Sequence, residues 1–101
     1  MDRTELEMKK LFVAKISDAV EETSEHVKRI EYKVVPEESE YGLYYTEYLV
    51  MHYAGGAIQA RDCTANSIIA ILEEVPKMMC SSQVYPSDTA RYKKSIGGIK
   101  S

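Results

Sequence analysis

The pair Gly55-Gly56 lies between two runs of alternating apolar residues, and it constrains the fold more than any other feature of the chain. Adjacent glycines between strands predict a two-residue hairpin turn, because both central residues of a type I′ turn need positive φ. With these glycines as the turn, Tyr53 pairs with Ile58 and Met51 with Ala60. The predicted core face then holds Leu49, Met51, Tyr53, Ile58 and Ala60, and the opposite face holds Tyr48, Val50, His52, Gln59 and Arg61.

Helical patterns flank this hairpin on both sides. The N-terminal residues predict an amphipathic helix from about residue 5 to 23, with Thr4 and Glu7 as a capping box. Its apolar stripe is Met8, Leu11, Phe12, Ile16, Ala19 and Val20. A second helix is predicted after the N-cap candidates Thr64, Asn66 and Ser67, and Pro76 is expected to kink or end it. Ser87-Asp88 begins a short third helix that Gly97-Gly98 ends.

A further strand is predicted over residues 27–35, where apolar and charged residues alternate. Pro36 is expected to stop this strand, so that residues 37–42 form an acidic connection to the next one. The resulting element order is α-β-β-β-α, followed by a short C-terminal helix.

The predicted fold is a two-layer α+β domain, with a three-stranded antiparallel sheet and two helices on one of its faces. Residues 1–80 form this domain, and residues 81–101 form a C-terminal appendage with a short helix and a frayed tail. The other face of the sheet is expected to stay in water. The predicted core consists of Leu11, Phe12, Ile16, Ile30, Tyr32, Val34, Leu49, Met51, Tyr53, Ile58, Ile68, Leu72 and Val75.

Charge separates the C-terminal segment from the rest of the chain. The net charge of the 101 residues is −3, yet residues 63–101 carry five basic and three acidic side chains. An acidic chain repels a phosphate backbone, so a protein partner is favoured over nucleic acid. The sequence shows no signal-peptide pattern, no run long enough to span a membrane and only two cysteines. We therefore expect a cytoplasmic protein without a membrane partner.

No arrangement of residues in the sequence predicts catalysis, a cofactor or a metal. A phosphate-binding glycine loop precedes a helix, whereas Gly55-Gly56 precedes a strand. Cys63 lies at the predicted start of the second helix, but His52 is over about 10 Å away along the strand. The cysteines and histidines lack the close ligand pairs of structural zinc sites. The chain is therefore expected not to be an enzyme.

The remaining functional signal is an acidic, tyrosine-rich surface. Eight of the nine aromatic residues are tyrosines, and the acidic run leads directly into four of them. Carboxylates steer an encounter with a basic surface, and tyrosines supply contact area at low entropic cost. A protein-binding surface is therefore predicted, formed by Glu37, Glu38, Glu40, Tyr44, Tyr48, His52 and Arg61. An edge of the core beside solvated glutamates is the alternative interpretation.

Two resemblances add expectations. The α-β-β-β-α order resembles that of the double-stranded-RNA-binding domain over about residues 5–79, a family that spans phosphates with lysines at the start of its second helix. Residues 64–68 of this chain contain no lysine or arginine. In size, acidity and its segment YAGGAIQARDCTANS, the chain also resembles small accessory proteins of phages and mobile elements, some of which inhibit host nucleases, such as anti-CRISPR proteins. That resemblance implies an inhibitor that occupies a basic, nucleic-acid-binding surface of a host protein.

Two other functions remain open from the sequence. The chain could bind nucleic acid through the basic residues Arg91, Lys93, Lys94 and Lys100. It could instead be a homodimeric structural domain that pairs through the exposed face of its sheet.

Overall fold

The computed structural model describes residues 3–97, which form three helices and a three-stranded antiparallel sheet. The elements are α1 (Arg3–Thr23), β1 (Val27–Ser39), β2 (Gly42–Tyr53), β3 (Ile58–Asp62), α2 (Ile68–Cys80) and α3 (Pro86–Gly97). The strands lie side by side in the order β1-β2-β3. The predicted α+β class and element order are confirmed. No helix within residues 3–97 has both the length and the apolar character needed to cross a membrane.

β1 does not stop at Pro36, contrary to the prediction, but continues to Ser39. Pro36 lies opposite Tyr45 of β2. Two residues further along β2, the backbone of Glu47 faces away from β1, because its carbonyl accepts from the Cys63 N–H. The backbone of Tyr45 likewise faces away from β1. The backbone of its partner Pro36 therefore faces away from β2, and the nitrogen of Pro36 points out of the sheet. At this edge position the missing N–H of proline costs no ladder hydrogen bond.

The register of the second hairpin differs by one residue from the prediction. Met51 pairs with Gln59 and Val50 with Ala60, because the turn has three residues rather than two. Only Gly56 of the glycine pair has positive φ, at 96°. The Gly56 N–H donates to the Tyr53 carbonyl and the Tyr53 N–H to the Ala57 carbonyl, as in a turn closed by a glycine bulge. The shift exchanges the faces of Ile58, Gln59, Ala60 and Arg61.

The core lies between the sheet and the helices α1 and α2. Both helices pack on the same face, as predicted, and their apolar side chains meet Ile30, Tyr32, Leu49 and Met51 from the sheet. Cys63 is fully buried in this cluster. Val75 is also buried, and Ile16 and Tyr53 pack against the cluster.

The opposite face of the sheet is not left in water, because α3 covers part of it. Tyr92 of α3 packs against a second cluster formed by Val35, Tyr48, Val50 and Ala60. The rings of Tyr48 and Tyr92 meet edge to face at 5.1 Å between centroids. The short C-terminal helix therefore adds a partial third layer to the two predicted ones.

The face that α1 turns to the sheet shares Ile16 and Val20 with the predicted stripe but is otherwise different. Its buried residues are Lys9, Val13, Ser17 and Val20, whereas Leu11 and Phe12 are 60% and 43% exposed. The two polar residues face the sheet because each meets a polar partner there. The Lys9 ammonium lies 3.5 Å from the Glu47 carboxylate, and the Ser17 hydroxyl accepts from the Ile30 N–H at 2.9 Å. An apolar stripe alone cannot reveal such partners.

α2 begins after Ser67, whose hydroxyl accepts from the Ala70 N–H as an N-cap. Pro76 lies inside the helix, which continues to Cys80. Met78, beyond the proline, is fully buried, and its carbonyl accepts from the Tyr53 hydroxyl at 2.6 Å. These contacts hold the last turn in place despite the proline.

Candidate functional site

The far end of the β1–β2 hairpin carries most of the large exposed apolar side chains of the sheet. The connection has only two residues, Glu40 and Tyr41, between the paired residues Ser39 and Gly42. The Ser39 hydroxyl accepts from the Tyr41 N–H and donates to the Gly42 carbonyl, both at 3.2 Å. Gly42 has a φ of 120°, which favours glycine. Residues 38–45 are here called the hairpin tip.

The hairpin tip is acidic and aromatic. Tyr41 is 92% exposed, and Leu43, Tyr44 and Tyr45 are each between 43% and 60% exposed. The carboxylates of Glu38 and Glu40 are exposed beside them. Of the residues predicted from the sequence to bind a partner, Glu38, Glu40 and Tyr44 lie on this surface. Tyr41, Leu43 and Tyr45 also lie on this surface and were not among the contact residues predicted from the sequence.

Glu37 and Tyr48 were also predicted at the surface, and this placement is wrong. Tyr48 is fully buried and Glu37 is 6% exposed. The two Glu37 oxygens accept hydrogen bonds from three hydroxyl groups, at 2.5 Å from Thr46, 2.7 Å from Tyr48 and 2.6 Å from Ser95. Because β1 continues through Pro36, Glu37 occupies a strand position beneath α3.

Arg91 of α3 joins this buried carboxylate to the edge of the sheet. Its Nε donates to the Tyr48 hydroxyl at 2.8 Å and lies 3.5 Å from Glu37 Oε1. Its Nη2 donates to Asp62 at 2.5 Å. We call Glu37, Thr46, Tyr48, Asp62, Arg91 and Ser95 the α3 network.

Electrostatics in the α3 network favour the ionised carboxylates. Burial by itself raises the pKa of Glu37, but hydrogen bonds from Ser95, Thr46 and Tyr48, together with the Arg91 charge, hold that pKa below its ordinary value. The pKa of Asp62 is lowered in the same way: burial opposes the shift, and bonds from Thr64 and Arg91 outweigh it. Burial raises the pKa of the Tyr48 phenol, which therefore remains a donor. The network holds α3 against the sheet.

The two remaining residues of the predicted surface are half-buried and bonded internally. His52 Nε2 lies 2.5 Å from Glu31 Oε1. Arg61 Nη1 donates to Asp88 at 3.1 Å, and its guanidinium carbon lies 4.6 Å from the centre of the Tyr85 ring. Arg61 faces α2 rather than the opposite side because of the register shift. Neither residue lies near the hairpin tip in the sheet.

The basic C-terminal segment is only partly available for contacts. Arg91 is committed to the α3 network, whereas Lys93 and Lys94 are exposed on α3. Lys100 lies outside the described residues.

The cysteine that the sequence singled out is chemically quiet at neutral pH. Burial raises the pKa of Cys63 to about 12, so its thiol stays protonated. Cys80 is exposed, and both cysteines are free. Within residues 3–97, no group of three or more His, Cys, Asp or Glu side chains is placed to hold a metal ion.

A cavity of about 560 Å³ opens where the hairpin tip meets the helices. Tyr45 and Glu47 line it from β2, Glu5 and Lys9 from α1, and residues 64–67 from the start of α2. Lys9 and Glu47 are both buried and pair with each other, and Glu47 also accepts from the Tyr32 hydroxyl at 2.8 Å. The exposed Glu5 carboxylate also lies 3.7 Å from the Lys9 ammonium, so two carboxylates share one ammonium at the cavity.

Comparison of the chain with protein-family models, with curated proteins and with solved structures finds no match.

Proposed function

We propose that this chain is a non-enzymatic protein-binding module, and that its hairpin tip occupies a basic surface of another protein. The observation that carries the proposal is the placement of Tyr41, Leu43, Tyr44 and Tyr45 in solvent beside two unburied carboxylates. Contiguous exposed apolar side chains are typical of interaction sites, and tyrosines are enriched in them.

The partner proposed here is basic because the carboxylates of the tip lie at its outer end. Glu38 and Glu40 would steer the encounter, and the tyrosines and Leu43 would supply the buried contact area. A nucleic-acid-binding groove is one such basic surface. Its occupation would inhibit the partner by competition, as the resemblance to phage inhibitors implies.

The proposal differs from the sequence-based one in its residues. Glu37 and Tyr48 support the hairpin from within the α3 network, and they are not offered as contacts. Tyr41, Leu43 and Tyr45 replace them, since these side chains are the ones that water reaches.

The test is capture of a partner from a lysate of the cells that carry the gene, analysed by mass spectrometry at increasing salt. The double variant Glu38→Gln/Glu40→Gln is expected to retain less partner and to lose it at lower salt. The matched control is Glu21→Gln/Glu22→Gln, which removes two exposed carboxylates from the end of α1 and should behave as wild type.

A second variant separates the hairpin tip from a competing apolar surface. Met8, Leu11 and Phe12 of α1 are also exposed. Under the proposal, Leu11→Gln leaves capture unchanged and Tyr41→Ala weakens it. Equal capture by wild type and both tip variants, or loss of capture with Leu11→Gln alone, would contradict the proposal.

A further inference from the structure

Strand β2 has an open edge at the hairpin tip. β3 pairs with β2 only from Tyr48 to His52. The backbone groups of Glu47, one residue before this ladder, are also hydrogen-bonded. Its carbonyl accepts from the Cys63 N–H at 2.8 Å, and its N–H donates to the Thr64 hydroxyl at 3.0 Å. At Thr64 the chain turns away toward α2, so residues 42–46 have β1 on one side and, among residues 3–97, no strand on the other.

The alternation of an antiparallel ladder decides which backbone groups face this open edge. Leu43 and Tyr45 have the same orientation as Glu47, whose N–H and C=O point away from β1. The N–H and C=O groups of Leu43 and Tyr45 therefore face outward, and no hydrogen bond within residues 3–97 reaches them. Tyr44 and Thr46 point the other way, into the ladder with β1.

Side chains protect β3 and part of β1 at the other edges of the sheet. Along β3, the Thr89 hydroxyl accepts from the Ala60 N–H at 3.0 Å and the Asp88 carboxylate accepts from the Asp62 N–H at 3.0 Å. Along β1, the Ser17 hydroxyl accepts from the Ile30 N–H, and Pro36 has no N–H to satisfy. The outward backbone groups of Tyr32 and Val34, between these two positions, have no hydrogen bond within residues 3–97. Proteins generally cover or interrupt their sheet edges, so an uncovered edge is a template for an added strand.

We propose that the partner binds by strand addition: an extended, basic segment of another protein pairs with Leu43 and Tyr45 along the open edge of β2. The inference rests on the proposed function and specifies how its contact is made. Main-chain hydrogen bonds would supply affinity, and alternate side chains of the added segment would supply specificity. The cavity beside Tyr45 continues the edge and can receive one of those side chains.

The basic character of the segment follows from the charges beside the edge. Glu38 lies opposite Leu43 in the ladder, Glu40 is in the turn, and Glu5 lines the cavity. A second copy of this chain would pair Leu43 with Tyr45 of the copy and would bring the acidic tips of both copies together. Like charges at such short range are unfavourable, so a basic segment fits the edge better than a second copy.

The probe for this inference is an acetylated and amidated heptapeptide of alternating lysine and valine, titrated into the whole protein. Amide hydrogen exchange, followed by NMR, reads the edge directly. The amides of Leu43 and Tyr45 are expected to exchange about tenfold more slowly with the peptide bound, because they gain hydrogen bonds. The amides of Tyr44 and Thr46 already bond to β1 and are the internal control. A peptide with glutamate in place of lysine should bind more weakly.

A pair of variants tests the backbone group apart from the side chain. Tyr45→Pro removes the outward N–H, and Pro36 at the paired position shows that this hairpin accepts proline at its edge. Tyr45→Ala is the matched control that removes the same ring and keeps the N–H. The affinity for the lysine–valine peptide is expected to be about tenfold lower for Tyr45→Pro than for Tyr45→Ala.

Several results would overturn strand addition. One is peptide binding that leaves the exchange of Leu43 and Tyr45 unchanged, and another is no binding at low millimolar peptide. In both cases, continued loss of partner capture with Glu38→Gln/Glu40→Gln would leave the proposed function standing. A third is protection of both amides in the free protein that grows with protein concentration, which would place a second copy at the edge.

Discussion

Replacement of Glu37 by glutamine tests whether this residue is a structural group or a surface contact. The carboxylate accepts three hydrogen bonds, one at Oε1 from Thr46 and two at Oε2 from Tyr48 and Ser95. Glutamine offers a single acceptor oxygen, so either Thr46 or Tyr48 is left without an acceptor. Both of these residues are buried, at 2% and 0% exposure.

The expected destabilisation follows from these contacts. A hydrogen bond to a charged group contributes about 1.5–3 kcal/mol, and an unsatisfied buried group costs about 1–3 kcal/mol. Ser95 adds little to the loss, because its hydroxyl can donate to the Arg91 carbonyl, 3.0 Å away. We therefore expect Glu37→Gln to lower the free energy of unfolding by about 2–4 kcal/mol at pH 7.

Urea denaturation followed by circular dichroism measures this difference. Glu38→Gln is the matched control, since the neighbouring carboxylate is exposed, and its effect should stay within about 0.5 kcal/mol. If Glu37→Gln lowers stability by less than about 1 kcal/mol, the α3 network does not hold α3 to the sheet in the way described.

The stability difference between wild type and Glu37→Gln is expected to depend on pH. The pKa of Glu37 is lowered in the folded state from its ordinary value of 4.5. Its ionised form therefore stabilises the fold fully above about pH 4.5, and this contribution is lost as the pH falls toward the lowered value. The stability difference between wild type and Glu37→Gln should be constant near neutral pH and shrink below pH 4.5. A difference that grows on acidification would contradict the direction of the pKa shift.

Two further predictions concern the turn and the cysteines. Gly56→Ala should lower the free energy of unfolding by about 1–2 kcal/mol, because the φ of Gly56 is 96°. Gly55→Ala should leave the free energy of unfolding unchanged or raise it slightly. Equal losses for both variants in urea denaturation would contradict the three-residue turn and favour the two-residue one. A thiol reagent should modify Cys80 rapidly and Cys63 only at the rate of unfolding, because Cys63 is buried; mass spectrometry that finds both modified at one rate in the folded protein would refute this burial.

The sequence alone determined the element order and the class of the fold. Helical spacing, the Ser67 N-cap and the Gly55-Gly56 pair are local signals, and each identifies its element without knowledge of the rest of the chain. The acidic, tyrosine-rich run also placed Glu38, Glu40 and Tyr44 on the surface that is proposed here to bind a partner.

Only the tertiary structure decided which faces are buried. The turn at Gly56 takes three residues instead of two, and this one-residue difference moves Arg61 to the α2 face and Ala60 to the α3 face. Lys9 and Ser17 face the sheet because Glu47 and the Ile30 N–H are there to meet them. Glu37 is buried because Arg91, 54 positions later in the chain, supplies its countercharge. Such pairings join residues far apart in sequence, so no local pattern encodes them, and they leave the outer end of the β1–β2 hairpin as the exposed surface.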